Sequence, residues 1–383
     1  MTASPARLLV SCGEPSGDLY AGEMLRHLKG DVPALEVFGL GGDRVAEQGA
    51  RLVGHVRDLA VVGLAEVVSS LPRLRRIFRA VVAEVDRARP DLAVLVDYSG
   101  FNLRLARQLR RRGVPIVYYV SPQVWAWRRG RLKTIRETVS RMLVLFAFEL
   151  PIYEAAGVPV TFVGHPLVDL VRPAPDRAAL LTGLGLDRDA PLIALLPGSR
   201  PREVALNLPP LLGAIDRLRR ARPSLQFALA AAPALDANAL RSELRGRPVR
   251  IVEGDTHALV GAADLGLIAS GTATVEAALL GTPMVVVYRV SPLSYALGHR
   301  FVRVAHYSMV NLVAGRRVVT ELIQGDFTAE RVAAEALSLL DDPARMASMR
   351  VDLAQVRERL GASGASQRAA QAVREALAQA RAR

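Results

Sequence analysis

Short apolar runs recur along the chain. Each is closed by a small or polar turn and followed by a stretch of helical period. Arg7 to Cys12 reads as a first strand, GEPSG (Gly13 to Gly17) as its turn and Asp18 to Lys29 as a helix. Further strands are predicted at Ala34 to Gly39, Arg51 to Val56, Leu92 to Val96, Val114 to Val120, Arg141 to Phe146 and Val158 to Val163. Helical stretches lie between them, the longest over Leu59 to Arg89 with Pro72 at a joint or first turn. After a proline-rich, charged stretch the alternation resumes: strands at Leu192 to Leu196, Gln226 to Ala230, Val249 to Val252, Leu265 to Ala269 and Met284 to Tyr288, with a helix over Pro209 to Ala221. Alternation of this kind predicts α/β architecture, two tandem doubly wound Rossmann-like domains with mostly parallel sheets. The expected domains are residues 1–168 and 191–342, joined by a linker at 169–190 and followed by an Ala- and Arg-rich helical tail at 343–383. Ligands of such folds bind at the carboxyl ends of the strands, so a cleft between the two sheets is expected to hold the site.

The unit is clearest in SGTATVEAALLGTP, Ser270 to Pro283. The strand before it ends in Ser270-Gly271-Thr272, Ala273 to Leu280 is helical, and Gly281 supplies the stop. The helix start leaves backbone N–H groups unpaired and suited to a diphosphate. Glu276 is expected in the first turn. There its carboxylate would either hold sugar hydroxyls of a nucleotide or merely complement the helix dipole.

Composition narrows the classes. The 383 residues suit two ordinary domains plus a tail. A single cysteine, Cys12, excludes an internal disulfide framework or a thiolate zinc site, and the six histidines show no ligand spacing. No metal or cofactor is therefore expected, and the setting reads as cytoplasmic. Leu8 to Cys12 is too short for a signal peptide's apolar region, and no run approaches the ~20 apolar residues of a membrane span. A net charge of +13, carried by arginine apart from Lys29 and Lys133, favours anionic partners. Nucleic acid is the weakest of these, because the arginines are spread over the chain and no recognition module is present.

Several turns could carry chemistry. Asp97 ends the run Leu92 to Val96 in VDYSGFN, where it could act as a general base or cap a helix, although Ser99 and Asn102 are better placed to cap. Arg200 closes PGSR, where a guanidinium beside a tight turn suits two diphosphate oxygens, or is simply solvated. VSPQVWAWRRGR (Val120 to Arg131) sets aromatic faces beside guanidinium groups, fit for a sugar, a base or a lipid phosphate, or for a core tryptophan with a basic helix start. Val61 to Val82 has one apolar and one arginine-rich face, and SYALGHRFVRVAHY is aromatic and basic; either could meet a lipid surface, and the former could equally face a core. GLGGDR (Gly39 to Arg44) is no dinucleotide fingerprint, and a P-loop is absent.

GEPSGD, VDYSGFNLRLA, YYVSPQVWAWR, FVGHPLVD, LLPGSRPREV, SGTATVEAALLGTPMVV, YRVSPLSY and NLVAGR, in this order from residue 7 to about 335, together resemble the lipid-A-disaccharide synthases. These are inverting glycosyltransferases of the GT-B fold. The resemblance implies transfer from UDP-2,3-diacylglucosamine to 2,3-diacylglucosamine 1-phosphate, giving a β(1→6) disaccharide 1-phosphate and UDP, with no metal. It implies Asp97 as the base. The donor site would comprise Ser199, Arg200, Ser270, Gly271, Thr272, Glu276 and Asn311. The acceptor or cleft positions would be Gly13, Glu14, Ser16, Gly17, Gln123, Trp125 and Arg289. Peripheral contact with an anionic membrane is expected, nucleic acid is not, and a homo-oligomer stays open. Gly100 stands where some members carry a second carboxylate, Pro15 stiffens the opening motif, and the tail beyond Asp341 matches poorly. An epimerase of UDP-N-acetylglucosamine would share the fold and a similar nucleotide site, and is the competing reading.

Overall fold

A computed structural model of the chain describes residues 5–59, 64–125, 130–172, 176–233, 235–291 and 305–382. It divides into two compact units, residues 1–166 with 360–383, and residues 167–359.

The first unit is built on a seven-stranded parallel sheet of β1 (Arg7–Ser11), β2 (Glu36–Gly41), β3 (Arg51–His55), β4 (Leu92–Val96), β5 (Ile116–Tyr119), β6 (Arg141–Val144) and β7 (Val160–Phe162). Their order is β3-β2-β1-β4-β5-β6-β7. β4 is buried along its whole length, as expected of a strand covered on both faces, and is apolar throughout for that reason. The direction of winding reverses between β1 and β4, which pair in register from Leu8↔Leu92 to Ser11↔Leu95. One face carries a core in which Leu9, Leu95, Leu105, Ile116 and Tyr118 are fully buried.

The second unit repeats the plan with β8 (Leu192–Leu196), β9 (Gln226–Ala231), β10 (Val249–Glu253), β11 (Leu265–Ala269), β12 (Met284–Tyr288) and β13 (Thr320–Ile323). All pairings are parallel in the order β10-β9-β8-β11-β12-β13, with the reversal between β8 and β11. Both sheets thus have their switch point between the first and fourth strands of the unit.

The structure moves several predicted boundaries. The first helix starts at Pro15 rather than Asp18, because a proline at the first helical position loses no needed N–H. Leu64–Ala88 is one helix with Pro72 inside it. Its Leu74, Ile77, Phe78 and Val82 pack on the core, which settles the core-facing reading for those positions. The helix predicted from Pro209 begins at Pro201 and carries Pro209 and Pro210 internally. The expected linker at 169–190 holds the end of the helix Leu167–Leu170 and the whole of Arg177–Gly183, both in the second unit. Asp176 caps the latter, accepting from the N–H groups of Ala178 and Ala179, and Leu181 is fully buried. The tail divides: Pro343–Arg359 belongs to the second unit, and Ala365–Arg381 packs against Pro15–Asp31 in the first. Most of SYALGHRFVRVAHY, together with Trp127 and the start of the Val61 to Val82 stretch, lies outside the described residues.

Among the described residues no helix is long and apolar enough to cross a membrane.

Candidate active site

In a doubly wound sheet the loops at the carboxyl ends of the strands flanking the switch point are where ligands bind. In the first unit these loops are Cys12 to Glu14 after β1 and Asp97-Tyr98 after β4. Asp97 and Tyr98 both take left-handed backbone conformations, φ 45° and 43°, which side chains other than glycine rarely adopt. Three contacts hold that geometry. The Asp97 N–H donates to Tyr119 O at 3.0 Å, and the Asp97 carbonyl accepts the Tyr118 hydroxyl at 2.6 Å and Asn102 Nδ2 at 2.9 Å. Strain at a strand end that is over-determined in this way is typical of a functional position.

Asn102 is the residue sequence reasoning misread. It is no cap: it lies inside the helix Ser99–Arg111, fully buried, with its amide turned onto the strand ends. Nδ2 also reaches Ser11 O at 3.0 Å and Val96 O at 3.1 Å, and Oδ1 accepts the Ser11 hydroxyl at 2.7 Å. One side chain thereby ties β1 to β4 directly under Asp97. The signal was available in part, since an amide five residues after a strand-end acid can turn back to that strand. The buried Ser11 that completes the arrangement lies 91 positions away and was not visible locally.

Gly13 must be glycine, because a Cβ there would lie 2.3 Å from the Tyr98 ring. Glu14 is the residue before the helix Pro15–Asp31, and its charge adds to burial in raising the Tyr98 hydroxyl's pKa. Ser16 and Gly17 occupy the first turn. Gly17 is buried, and a Cβ on it would sit 3.3 Å from Cys12 and 3.7 Å from Val96. Asp18 of the same motif is structural, its carboxylate accepting the N–H groups of Gly42 (2.5 Å), Arg44 (3.0 Å) and Val45 (3.2 Å). Gln123 and Trp125 follow β5, the former exposed and the latter edge-on to Phe148 at 5.5 Å. The left-handed Val120 (φ 65°) begins that turn.

In the second unit the corresponding loops are Pro197 to Arg200 after β8 and Ser270 to Thr272 after β11. Glu203 organises the first, accepting the Ser199 N–H at 3.2 Å and Arg200 Nη1 at 2.8 Å. The Arg200 side chain is 44% exposed, so this pair is worth about 1 kcal/mol or less. Gly271 has φ 151°, a conformation that frees the following turn to start at Thr272. The Ser270 hydroxyl donates to Tyr307 O at 2.9 Å.

Three expected residues sit differently from their prediction. Glu276 is the fifth residue of Thr272–Leu280, beyond the first turn, so it does not serve the helix dipole. It faces His257, with Nε2 to Oε1 at 3.8 Å, and that carboxylate is the main cause raising the imidazole's pKa. Asn311 is fully buried in the helix Met309–Ala314 and spends its amide inside the unit. Nδ2 donates to Val319 O and Glu321 Oε1, and Oδ1 accepts from the N–H groups of Val318 and Val319. It cannot also grip a nucleotide; instead it fixes Glu321, which accepts the N–H groups of Tyr307 and Ser308 behind Ser270. Arg289 turns its guanidinium to the carbonyls of Gln324 and Phe327 and lies 5.3 Å over the Phe327 ring. Its own N–H donates to the buried Asn207, whose Nδ2 holds Pro197 O at 2.8 Å. Asn207 therefore ties the loop after β8 to the end of β12, much as Asn102 ties β1 to β4.

Two Rossmann-type parallel sheets, each with glycine-containing polar loops at its switch point, define a GT-B protein. Solved structures agree on the fold. UDP-GlcNAc 2-epimerase from Neisseria meningitidis bound to UDP-GlcNAc superposes with a TM-score of 0.63 at 11% identity, covering 97% of this chain and 99% of that one. Anabaena Alr3699/HepE in complex with UDP and glucose gives 0.58 at 15% identity, with 96% and 98% covered. The chain itself belongs to the lipid-A-disaccharide synthase family: residues 8–376 match the family described as lipid-A-disaccharide synthetase. It is 45% identical over 377 residues to the lipid-A-disaccharide synthase of Myxococcus xanthus, with 98% of each chain covered. Its class of activity is that of a hexosyltransferase in lipid A biosynthesis, and the epimerase likeness extends to the fold alone.

Proposed function

We propose that the chain transfers 2,3-diacylglucosamine from UDP to the 6-hydroxyl of 2,3-diacylglucosamine 1-phosphate, with inversion at the anomeric carbon. The observation that carries this reading is the division of labour between the two switch points. One carries Asp97 on a strained, hydrogen-bonded backbone; the other carries Arg200, Ser199 and the helix start at Ser270 to Thr272. Inverting transfer asks for one general base and one site that accepts charge on a leaving diphosphate. Asp97 removes the acceptor hydroxyl's proton as the anomeric carbon–oxygen bond to UDP breaks. Arg200 and the backbone N–H groups at Thr272 take up the charge on the departing diphosphate. Glu276 is the acceptor for ribose hydroxyls, and Gly13, Glu14, Ser16, Gly17, Gln123 and Trp125 bound the acceptor sugar. Arg289 and Asn311 position loops and touch neither substrate.

Mass spectrometry of a mixture of the protein with both acylated sugars tests the reading. Disaccharide 1-phosphate and UDP should appear one for one, and omission of the acceptor should stop UDP release. UDP release or sugar epimerisation without acceptor overturns it.

Acylated substrates call for a cytoplasmic enzyme that works at an anionic membrane face. Arg75, Arg76 and Arg79 on Leu64–Ala88 are exposed and pair with no described carboxylate, which suits that contact. Phosphatidylglycerol vesicles should retain the protein at low salt and release it as salt rises; failure of retention removes the membrane contact.

A further inference from the structure

Beneath the turn that follows β5 lies a carboxyl that the proposed chemistry does not use. Glu149 closes the 3-10 turn Ala147–Glu149 after β6 and is 3% exposed. Its Oε1 is 2.7 Å from the Ser121 hydroxyl, and its Oε2 accepts the Phe146 N–H at 3.3 Å. Ser121 Oγ also lies 2.8 Å from the Tyr153 hydroxyl and 3.0 Å from the Pro122 carbonyl. That carbonyl accepts the Val124 N–H at 2.6 Å and the Tyr153 hydroxyl at 3.3 Å. The Trp125 indole Nε1 is buried outside hydrogen-bond geometry, yet its N–H is close enough to pull the carboxyl's pKa back down. No guanidinium or ammonium pairs with Glu149 among the described residues. The titratable group that meets it at Ser121 is Tyr153 of the helix Leu150–Ala155, whose hydroxyl burial and then the Glu149 charge push up; Tyr118 of β5 interacts in turn with Tyr153, and the His165 ring lies 5.5 Å from that of Phe146.

We propose that Glu149 is a positioning residue whose proton state sets how firmly the 121–125 turn is held beneath an acylated sugar acceptor. This rests on the proposed placing of that acceptor against Gln123 and Trp125. When Glu149 is ionised, it accepts the Ser121 O–H, and no serine proton is left for the Pro122 carbonyl. When Glu149 is protonated, its one O–H donates to Ser121 Oγ, and the serine proton turns to the Pro122 carbonyl. The turn gains an O–H···O bond with no heavy atom displaced. Burial raises the carboxyl to about 7, against the lowering effect of Ser121, Phe146, Trp125 and Leu145, so the exchange falls near neutral pH.

Trp127→Phe leaves Trp125 as the single tryptophan of the chain. Its fluorescence should titrate with a midpoint near pH 7, and Glu149→Gln in that background should remove the midpoint. In steady-state assays the acceptor KM should rise roughly two- to tenfold from pH 6 to pH 8, the worth of one net hydrogen bond, while the donor KM stays level. Both Glu149→Gln and Ser121→Ala, which keeps the carboxyl and breaks the relay, should flatten that rise. A fluorescence midpoint that survives Glu149→Gln, or an acceptor profile that neither variant alters, overturns the inference. If the wild type makes no disaccharide, the proposed function fails separately and the fluorescence titration still decides the role of Glu149.

Discussion

Asp97→Asn should abolish turnover, by about 10²- to 10⁴-fold in kcat, while UDP binds as before. The substitution keeps size and hydrogen-bonding shape but removes the atom pair that takes a proton. The backbone at this position is held by main-chain and neighbouring side-chain bonds, Tyr119 O to its N–H and Tyr118 and Asn102 to its carbonyl. None of these depends on the carboxylate, so the left-handed conformation survives and the loss reads as chemistry. UDP affinity serves as the internal control, because the residues proposed to hold the diphosphate belong to the other unit. Isothermal titration with UDP and initial rates with both sugars measure the two quantities. Near-normal turnover in the variant would remove Asp97 from the base role. Asn102→Ala gives a graded contrast. It removes the side-chain donor from the buried carbonyls of Ser11 and Val96, so both kcat and stability should fall.

The second large effect is on stability in acid. His165 is 3% exposed, with its ring edge-on to Tyr20 at 5.7 Å and tilted against Phe146 at 5.5 Å. Burial lowers its pKa from 6.5 to about 3, so the folded chain keeps it neutral while the unfolded chain charges it below pH 6.5. The unfolded state then binds the extra proton, and stability falls as pH drops from 6.5 toward 3, by about 1.4 kcal/mol per unit and about 5 kcal/mol in all. Glu149 acts with the opposite sign. Its pKa is raised from 4.5 to about 7, so the unfolded chain has lost the proton that the folded chain keeps. Its contribution is present below pH 4.5 and is lost by pH 7, about 3 kcal/mol in all. Between pH 4.5 and 6.5 the two slopes cancel, and below 4.5 the histidine acts without that compensation. Urea unfolding of the wild type and of His165→Gln across pH 4 to 8 separates them. The stability difference between the two proteins should be level above pH 7 and shrink by about 1.4 kcal/mol per unit below 6.5. A difference independent of pH would show that His165 titrates alike in the folded and unfolded chains, so that burial does not hold it neutral.

Much of the architecture was legible because strands buried on both faces must be apolar throughout. Leu92 to Val96, Leu192 to Leu196 and Leu265 to Ala269 announced themselves in this way, and all three were found with the predicted bounds. β13 was not anticipated, because its Thr-Glu-Leu-Ile alternates buried and half-buried positions at a sheet edge and carries no apolar run. The strand-end residues Asp97, Arg200 and Ser270 to Thr272 could be found from position alone, since a strand's end fixes where the next few residues lie. What could not be read was the use of buried polar side chains. Asn102, Asn207 and Glu149 each join segments distant in sequence, Asn311 ties its helix to the strand that follows, and no periodicity encodes such pairings. Asn311 shows the limit of motif reading: the residue matters, yet its amide is committed to Val318, Val319 and Glu321. The 169–190 stretch misled for another reason. Its prolines and charges suggest a linker, whereas Asp176 and Arg177 anchor a helix, the latter donating to Ala262 O at 2.9 Å and pairing with Asp264.

The helix Ala365–Arg381 packs on Pro15–Asp31, with Arg374 reaching Asp31 at 3.8 Å and Arg368 donating to Val163 O at 2.8 Å. This has a consequence for biosynthesis. Residues 167–359 have all left the ribosome before the amino-terminal sheet receives its final covering helix. The half translated first is therefore the half completed last, and a nascent chain stalled anywhere before residue 365 exposes an unfinished apolar face on the sheet it made at the outset.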